Sequence, residues 1–122
     1  AEGKAKEQLD TVKEKIGFAQ NLMKTLAQSP TVLEAYLNFS GTLGTTLNAK
    51  LREQISVLTA QENDCGYCLS AHTAIGKMIG LSEAEILAAR EANSVETRTD
   101  AALKFAKTVL EKRGEVNDTD VE

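Results

Sequence analysis

The chain has 122 residues, with 14 basic and 18 acidic side chains that leave a net charge of −4. This length fits one domain with a proper core, and 42% hydrophobic residues with a single proline are typical of a globular protein. A pI near 5.1 argues against a nucleic-acid-binding surface, and no apolar stretch approaches the roughly 18 residues that a membrane span needs.

Helix start and stop signals follow one another along the chain, with no convincing strand pattern between them. Gly17 ends a charged first helix, and Ser29 with Pro30 is typical of a helix start. Ser82 and Glu85 form a capping box. Helices are predicted over about residues 2–16, 18–28, 48–62, 65–79 and 95–113, with a third from Pro30 and a sixth from Ser82. The sequence therefore predicts an all-α fold, a single-domain bundle of about six to seven helices spanning residues 1–122.

The last long helix and the residues after it carry two further predictions. Asp118 to Glu122 looks like the first turn of a helix, but one turn does not offset the cost of helix nucleation. We therefore expect the chain to be truncated or disordered after about residue 114. The helix before it is predicted to bury Ala102, Phe105, Ala106, Val109 and Leu110.

The only two cysteines, Cys65 and Cys68, are three residues apart. A disulfide between them closes almost no loop, so it would add little stability. Two cysteines are also too few for a disulfide-stapled secreted scaffold, which favours a reducing, cytoplasmic compartment. The spacing therefore indicates chemistry rather than cross-linking.

The only histidine, His72, falls on the same face of the predicted fifth helix as both cysteines. At 100° per residue, Cys65, Cys68 and His72 all lie on the apolar stripe that faces the core. Cys68 and His72 are four residues apart, so they are neighbours on the helix surface. Such a histidine can accept a thiol proton, and the free backbone N–H groups of the first turn stabilise a thiolate.

Glu53 is a candidate partner for His72. The fourth predicted helix is apolar on two sides, which suggests that Glu53 is enclosed and needs a partner. Glu53 and His72 each lie about 12–16 Å along their helices from the turn between them, so they reach similar heights on antiparallel neighbours. Glu53 is therefore expected to orient or charge-stabilise His72, directly or through a water.

The same residues are compatible with other kinds of site. A buried cysteine is often only a small hydrophobic residue. A zinc site would need Glu53 as fourth ligand beside Cys65, Cys68 and His72, an unusual set. Covalent haem attachment needs a histidine directly after the second cysteine, where this chain has Leu69. A thioredoxin-like site needs a βαβ pattern, which this sequence lacks. We therefore expect neither a cofactor nor a bound metal.

The stretch from Glu53 to Ile86 resembles the alkylhydroperoxidase-D-like branch of the carboxymuconolactone decarboxylase superfamily. The matching elements are a glutamate twelve residues before Cys-x-x-Cys, a histidine four residues after it, and the run Gly80-Leu81-Ser82-Glu83-Ala84-Glu85-Ile86. The resemblance covers roughly residues 17–92. It implies an all-helical fold and a homo-oligomer, commonly a trimer or hexamer.

The resemblance also implies roles for four residues. Cys68 matches the thiolate that attacks an organic hydroperoxide, and Cys65 matches the partner that protonates the leaving alcohol and resolves the sulfenate to a disulfide. His72 matches the base and Glu53 the carboxylate of the proton relay. The implied reductant is a dithiol donor such as a lipoyl-bearing protein. The best-known hydroperoxidases have a second histidine between the cysteines, where this chain has Tyr67.

The sequence therefore predicts a cytoplasmic, thiol-dependent peroxidase that reduces organic hydroperoxides to alcohols. One alternative is a dithiol–disulfide oxidoreductase for which peroxide is incidental. The other is a non-redox family member of unassigned substrate, with idle cysteines or a zinc-bound structural site.

Overall fold

The computed structural model describes residues 2–122, and these form eight α-helices without a strand. The all-α prediction is confirmed, and six of the eight helices have more than seven residues. Within this described range no helix is both long and apolar enough to cross a bilayer. The helices are α1 Gly3–Ile16, α2 Asn21–Leu26, α3 Pro30–Leu43, α4 Ala49–Glu62, α5 Gly66–Met78, α6 Glu83–Arg90, α7 Thr97–Glu111 and α8 Asp118–Val121.

Helix ends follow the local signals in the sequence. Gly17 ends α1 in the left-handed region at φ 90°, which glycine adopts without steric cost. Ser29 precedes α3, whose first residue is Pro30. Both hydrogen bonds of the capping box between Ser82 and Glu85 are present at the start of α6.

The helices pack into two compact units that divide between Thr46 and Leu47. In the first, α3 packs against both α1 and α2. Its core is small because it is drawn from three helices. It consists of Ala5, Val12, Met23, Ala27 and Leu33. The prediction of a single domain stays a prediction.

In the second unit, α4 is the central helix, with α5, α6 and α7 packed around it. Val57 and Leu58, adjacent in sequence, are both completely buried, which requires that α4 be covered on more than one side. The core of this unit consists of Val57, Leu58, Leu81, Ile86, Ala89, Ala92 and Leu103. The two-sided burial predicted for this helix is therefore present.

The buried face of α7 differs from the predicted one. Leu103 is completely buried, whereas Phe105 is 40% exposed. Leu103, Ala106 and Leu110 form the stripe packed into the core, so the prediction is confirmed for Ala106 and Leu110 and wrong for Phe105. Contact of α7 with α4 buries Leu103 in its place.

The last residues form a short helix, Asp118–Val121, and the expectation that the chain is truncated or disordered after about residue 114 stays a prediction. Asn117 caps α8 in a second capping box with Asp120. The Asp120 carboxylate also pairs with Lys112, one residue beyond the end of α7. These side-chain bonds, together with packing of α8 against α7, offset the nucleation cost of a four-residue helix.

Candidate active site

The candidate site lies in the second unit, in the helical hairpin of α4 and α5. Asn63 and Asp64 form the turn, and Asp64 takes a left-handed conformation at φ 50°. The Cys65 backbone N–H then donates to the Ala60 carbonyl at 3.0 Å. This bond reverses the chain tightly, so that α5 begins directly beside the last turn of α4.

Both cysteines lie at the N-terminal end of α5. Cys65 is the N-cap residue, and its Sγ accepts a hydrogen bond from the Cys68 backbone N–H at 3.2 Å. The two residues are joined by a disulfide, with their Cα atoms 5.3 Å apart. Both are partly buried. The structure therefore represents the oxidised form of the pair.

His72 and Glu53 are in direct contact across the hairpin. The His72 Nδ1 lies 2.8 Å from Glu53 Oε2, and their side chains are 32% and 18% exposed. When the carboxylate accepts at Nδ1, that nitrogen carries the proton and Nε2 carries the free lone pair. The contact expected from the equal heights of these residues is direct, without an intervening water.

The cysteines and the histidine line one pocket of about 220 Å³ between the two helices. Glu53 does not line it, so its carboxylate contacts the site through His72. The α4 side of this pocket was not predicted from the sequence, although the i, i+3, i+4 and i+7 spacing of its residues could have indicated a shared face. The full lining is Ile55, Ser56, Thr59, Ala60, Asn63, Cys65, Cys68 and His72.

Tyr67 lies between the two cysteines in sequence but not in the pocket. Its side chain is 56% exposed, and it is absent from the pocket walls that the described residues form.

A larger hollow of about 560 Å³ lies elsewhere in the second unit, where α4, α6 and α7 begin. Its lining contains neither a cysteine nor the histidine. The cysteine pair and the histidine meet in the smaller pocket, so that pocket is the candidate active site. Across residues 2–122, no three His, Cys, Asp or Glu side chains cluster as a metal-binding group in this disulfide-bonded form.

The site can therefore carry thiol chemistry with proton transfer. Cys65 and Cys68 are close enough to exchange between dithiol and disulfide. The N–H bond to the Cys65 sulfur stabilises a thiolate there, and a histidine held by a carboxylate can accept and return a proton.

Comparison with protein-family models matches residues 30–112 to the model described as the carboxymuconolactone decarboxylase family. The match covers about two thirds of the chain, including the hairpin and the whole candidate site. A search of curated proteins and a search of solved structures each returned no match.

Proposed function

Because the chain belongs to the carboxymuconolactone decarboxylase family, we propose that it is a thiol-dependent peroxidase of the alkylhydroperoxidase-D-like branch. Its substrates would be organic hydroperoxides, which it reduces to alcohols through Cys65 and Cys68. One observation carries the proposal. The cysteine pair and His72 share a pocket, and Glu53 holds the histidine from outside it.

The first step is attack on the peroxide. His72 takes the proton of the Cys68 thiol, and the thiolate attacks the hydroxyl-bearing oxygen of ROOH. A sulfur–oxygen bond forms, the O–O bond breaks, and the alkoxide leaves with the proton of the Cys65 thiol as ROH. Cys68 is thereby oxidised by two electrons to a sulfenic acid, and the hydroperoxide is reduced.

The second step closes the disulfide. The Cys65 thiolate, stabilised by the Cys68 backbone N–H, attacks the sulfenic sulfur. The S–S bond forms, the S–O bond breaks, and hydroxide leaves with the proton held on His72 as water. The net reaction converts two thiols and ROOH into a disulfide, ROH and water. The arrangement in the structure corresponds to this product.

Glu53 supports the proton steps through charge. His72 is cationic between the two steps, and a carboxylate 2.8 Å from Nδ1 stabilises that cation. The same bond keeps Nε2 as the nitrogen that exchanges protons with the pocket.

The cycle needs a dithiol to reduce the disulfide, and a lipoyl-bearing protein would serve in the reducing cytoplasm.

A homo-oligomer of three or six chains completes the proposal. It is supported by the exposed apolar stripe of α3, which consists of Val32, Phe39 and Leu43.

The proposal is tested by counting thiols and measuring mass before and after one equivalent of cumene hydroperoxide. The reduced protein is expected to lose both thiols and about 2 Da. Cys68→Ser is expected to abolish peroxide consumption. Cys65→Ser is expected to stop at the sulfenic acid, with a gain of about 16 Da, because the resolving thiol is missing.

The two single variants are matched controls for each other, since each keeps one thiol of the same pair. Two thiols that peroxide leaves untouched would contradict the peroxidase and leave a disulfide exchanger or a non-redox protein. If Cys65→Ser lost consumption and Cys68→Ser kept it, the two roles would be reversed.

The bond from the Cys68 N–H to the Cys65 sulfur also favours a second candidate, a dithiol–disulfide oxidoreductase. The donor stabilises Cys65 as the attacking or leaving thiolate in exchange with another disulfide. Oxidation rates with cumene hydroperoxide and with a small disulfide separate the two candidates. A faster reaction with the disulfide would favour the exchanger.

A further inference from the structure

Thr59 lies in the wall of the candidate active site, where its hydroxyl group can act only as a hydrogen-bond acceptor. It lines the pocket beside the cysteines and His72, and it is partly buried. Its Oγ1 donates to the Ile55 carbonyl at 2.8 Å. Because its only hydrogen is engaged in this bond, the hydroxyl presents lone pairs to the pocket and acts there as an acceptor.

The register of the hairpin brings Thr59 to the level of the cysteine pair. Next to the turn, the Cys65 backbone N–H is hydrogen-bonded to the Ala60 carbonyl. Farther from the turn, His72 is hydrogen-bonded to Glu53. The separation from Glu53 to Ala60 along the chain equals the separation from Cys65 to His72. Residues of the two helices therefore stay paired at equal heights between these two contacts. Cys68 therefore lies near the level of residue 57.

Side chains tilt toward the N-terminus of their own helix. On antiparallel helices this moves the Cys68 sulfur toward the turn and the Thr59 oxygen away from it, so the two converge. Ser56 also lines the pocket and donates to its own i−4 carbonyl, that of Arg52. The same tilt moves its oxygen toward the level of His72 and away from the cysteines.

We infer that Thr59 is a substrate-positioning residue whose hydroxyl oxygen accepts the O–H hydrogen of the hydroperoxide and aims the attacked oxygen at Cys68. This inference rests on the proposed peroxidase function. The hydrogen that Thr59 holds belongs to the oxygen that is transferred to sulfur. The same bond therefore persists from ROO–H to the sulfenic S–O–H, while the O–O bond breaks and RO⁻ departs.

The test compares Thr59→Val, which replaces the hydroxyl with a methyl group of similar shape, with the reduced wild-type protein. The second-order rate of thiol oxidation is measured with cumene hydroperoxide and separately with diamide, a dithiol oxidant that has no O–H group. Thr59→Val is expected to slow the hydroperoxide reaction by about 3- to 10-fold, the effect of one neutral hydrogen bond, and to leave the diamide rate unchanged.

Two further variants complete the test. Thr59→Ser keeps the acceptor and is expected to stay within about twofold of the wild-type rate. Thr108→Val is the matched control, because the Thr108 hydroxyl makes the same bond to its own i−4 carbonyl, that of Lys104, but lies on α7 outside the pocket. It is expected to leave both rates unchanged.

Three results would overturn the inference while the peroxidase stands. These are an unchanged hydroperoxide rate in Thr59→Val, a parallel fall with both oxidants, and an equal loss in Thr108→Val. A wild-type protein that does not react with hydroperoxide would instead overturn the proposed function, and the role of Thr59 with it.

Discussion

Glu53 and His72 form the contact on which the proposed proton transfer depends. The carboxylate is 18% exposed, so the energy of its bond to the histidine is only partly screened by solvent. Glu53 does not line the pocket, so its proposed effect on the reaction would act through the charge and orientation of His72. Its removal should therefore slow the chemistry without changing the shape of the pocket.

Glu53→Gln is expected to lower the rate of thiol oxidation by hydroperoxide at least about tenfold, because the amide cannot stabilise the histidine cation. His72→Ala is expected to lose about 10²- to 10⁴-fold, the usual contribution of a general base. Stopped-flow measurement with cumene hydroperoxide gives both rates.

The matched control for this prediction is Glu62→Gln, on the same helix. The Glu62 carboxylate faces Lys107 at 3.5 Å and not the histidine. A Glu53→Gln rate equal to that of Glu62→Gln would show that the carboxylate behind His72 takes no part in the reaction.

At the scale of elements, side-chain caps determine where the helices of the second unit begin. The Glu85 carboxylate accepts from the Ser82 backbone N–H at 2.7 Å, and this bond holds the pKa of Glu85 below its ordinary value of 4.5. Glu96 caps α7 in the same way, and its bonds to Thr99 and Arg98 lower its pKa. Both caps need an ionised carboxylate.

The lowered pKa makes the α6 cap sensitive to acid. The stabilisation from Glu85 is fully present above pH 4.5 and is lost as the pH falls through its folded-state pKa. We expect the wild-type protein to lose more stability than Glu85→Gln between about pH 5 and about pH 3. Urea denaturation followed by circular dichroism at both pH values measures the difference.

Ser82→Ala tests the other half of the same capping box. Loss of the N-cap oxygen is expected to cost about 1 kcal/mol at neutral pH. Glu83→Gln is a suitable control for the acid titration, because Glu83 lies in the same first turn of α6 but is not part of the capping box. Equal acid sensitivity of wild type and Glu85→Gln would contradict the role of the cap.

At the scale of the whole molecule, exposed apolar surface bears on assembly. Phe39 is 67% exposed and shares one face of α3 with Val32 and Leu43, which are each about half exposed. Apolar side chains grouped on one helix face are typical of a surface that is covered by another chain. This stripe supports the homo-oligomer that the family implies.

We expect the wild-type protein to have a mass three or six times the 13.1 kDa of one chain in light-scattering measurements. Phe39→Asp should shift the mass toward the single chain, because a charge buried in an apolar interface is costly. Val95→Asp is the control, since this fully exposed valine lies outside the stripe.

Circular dichroism of Phe39→Asp verifies that the variant keeps its helices. A folded Phe39→Asp protein that retains the wild-type mass would exclude the α3 stripe from the interface. A wild-type mass of one chain would contradict the oligomer itself.

The sequence alone determined the features that depend on neighbours along the chain. Gly17 ends a helix through its own backbone freedom, and Ser82 with Glu85 forms a cap within one turn. The contact between Glu53 and His72 was also predictable, because the short turn fixes the register of two antiparallel helices.

Only the tertiary structure decided which of several possible faces each helix buries. Leu103 is buried and Phe105 is 40% exposed because α7 packs against α4 with the face that carries Leu103, Ala106 and Leu110. Only the packing of α5 against their face of α4 identifies Thr59 and Ser56 as candidate site residues. Local signals arise from backbone sterics and short-range hydrogen bonds, whereas burial is the sum of many contacts between residues distant in sequence.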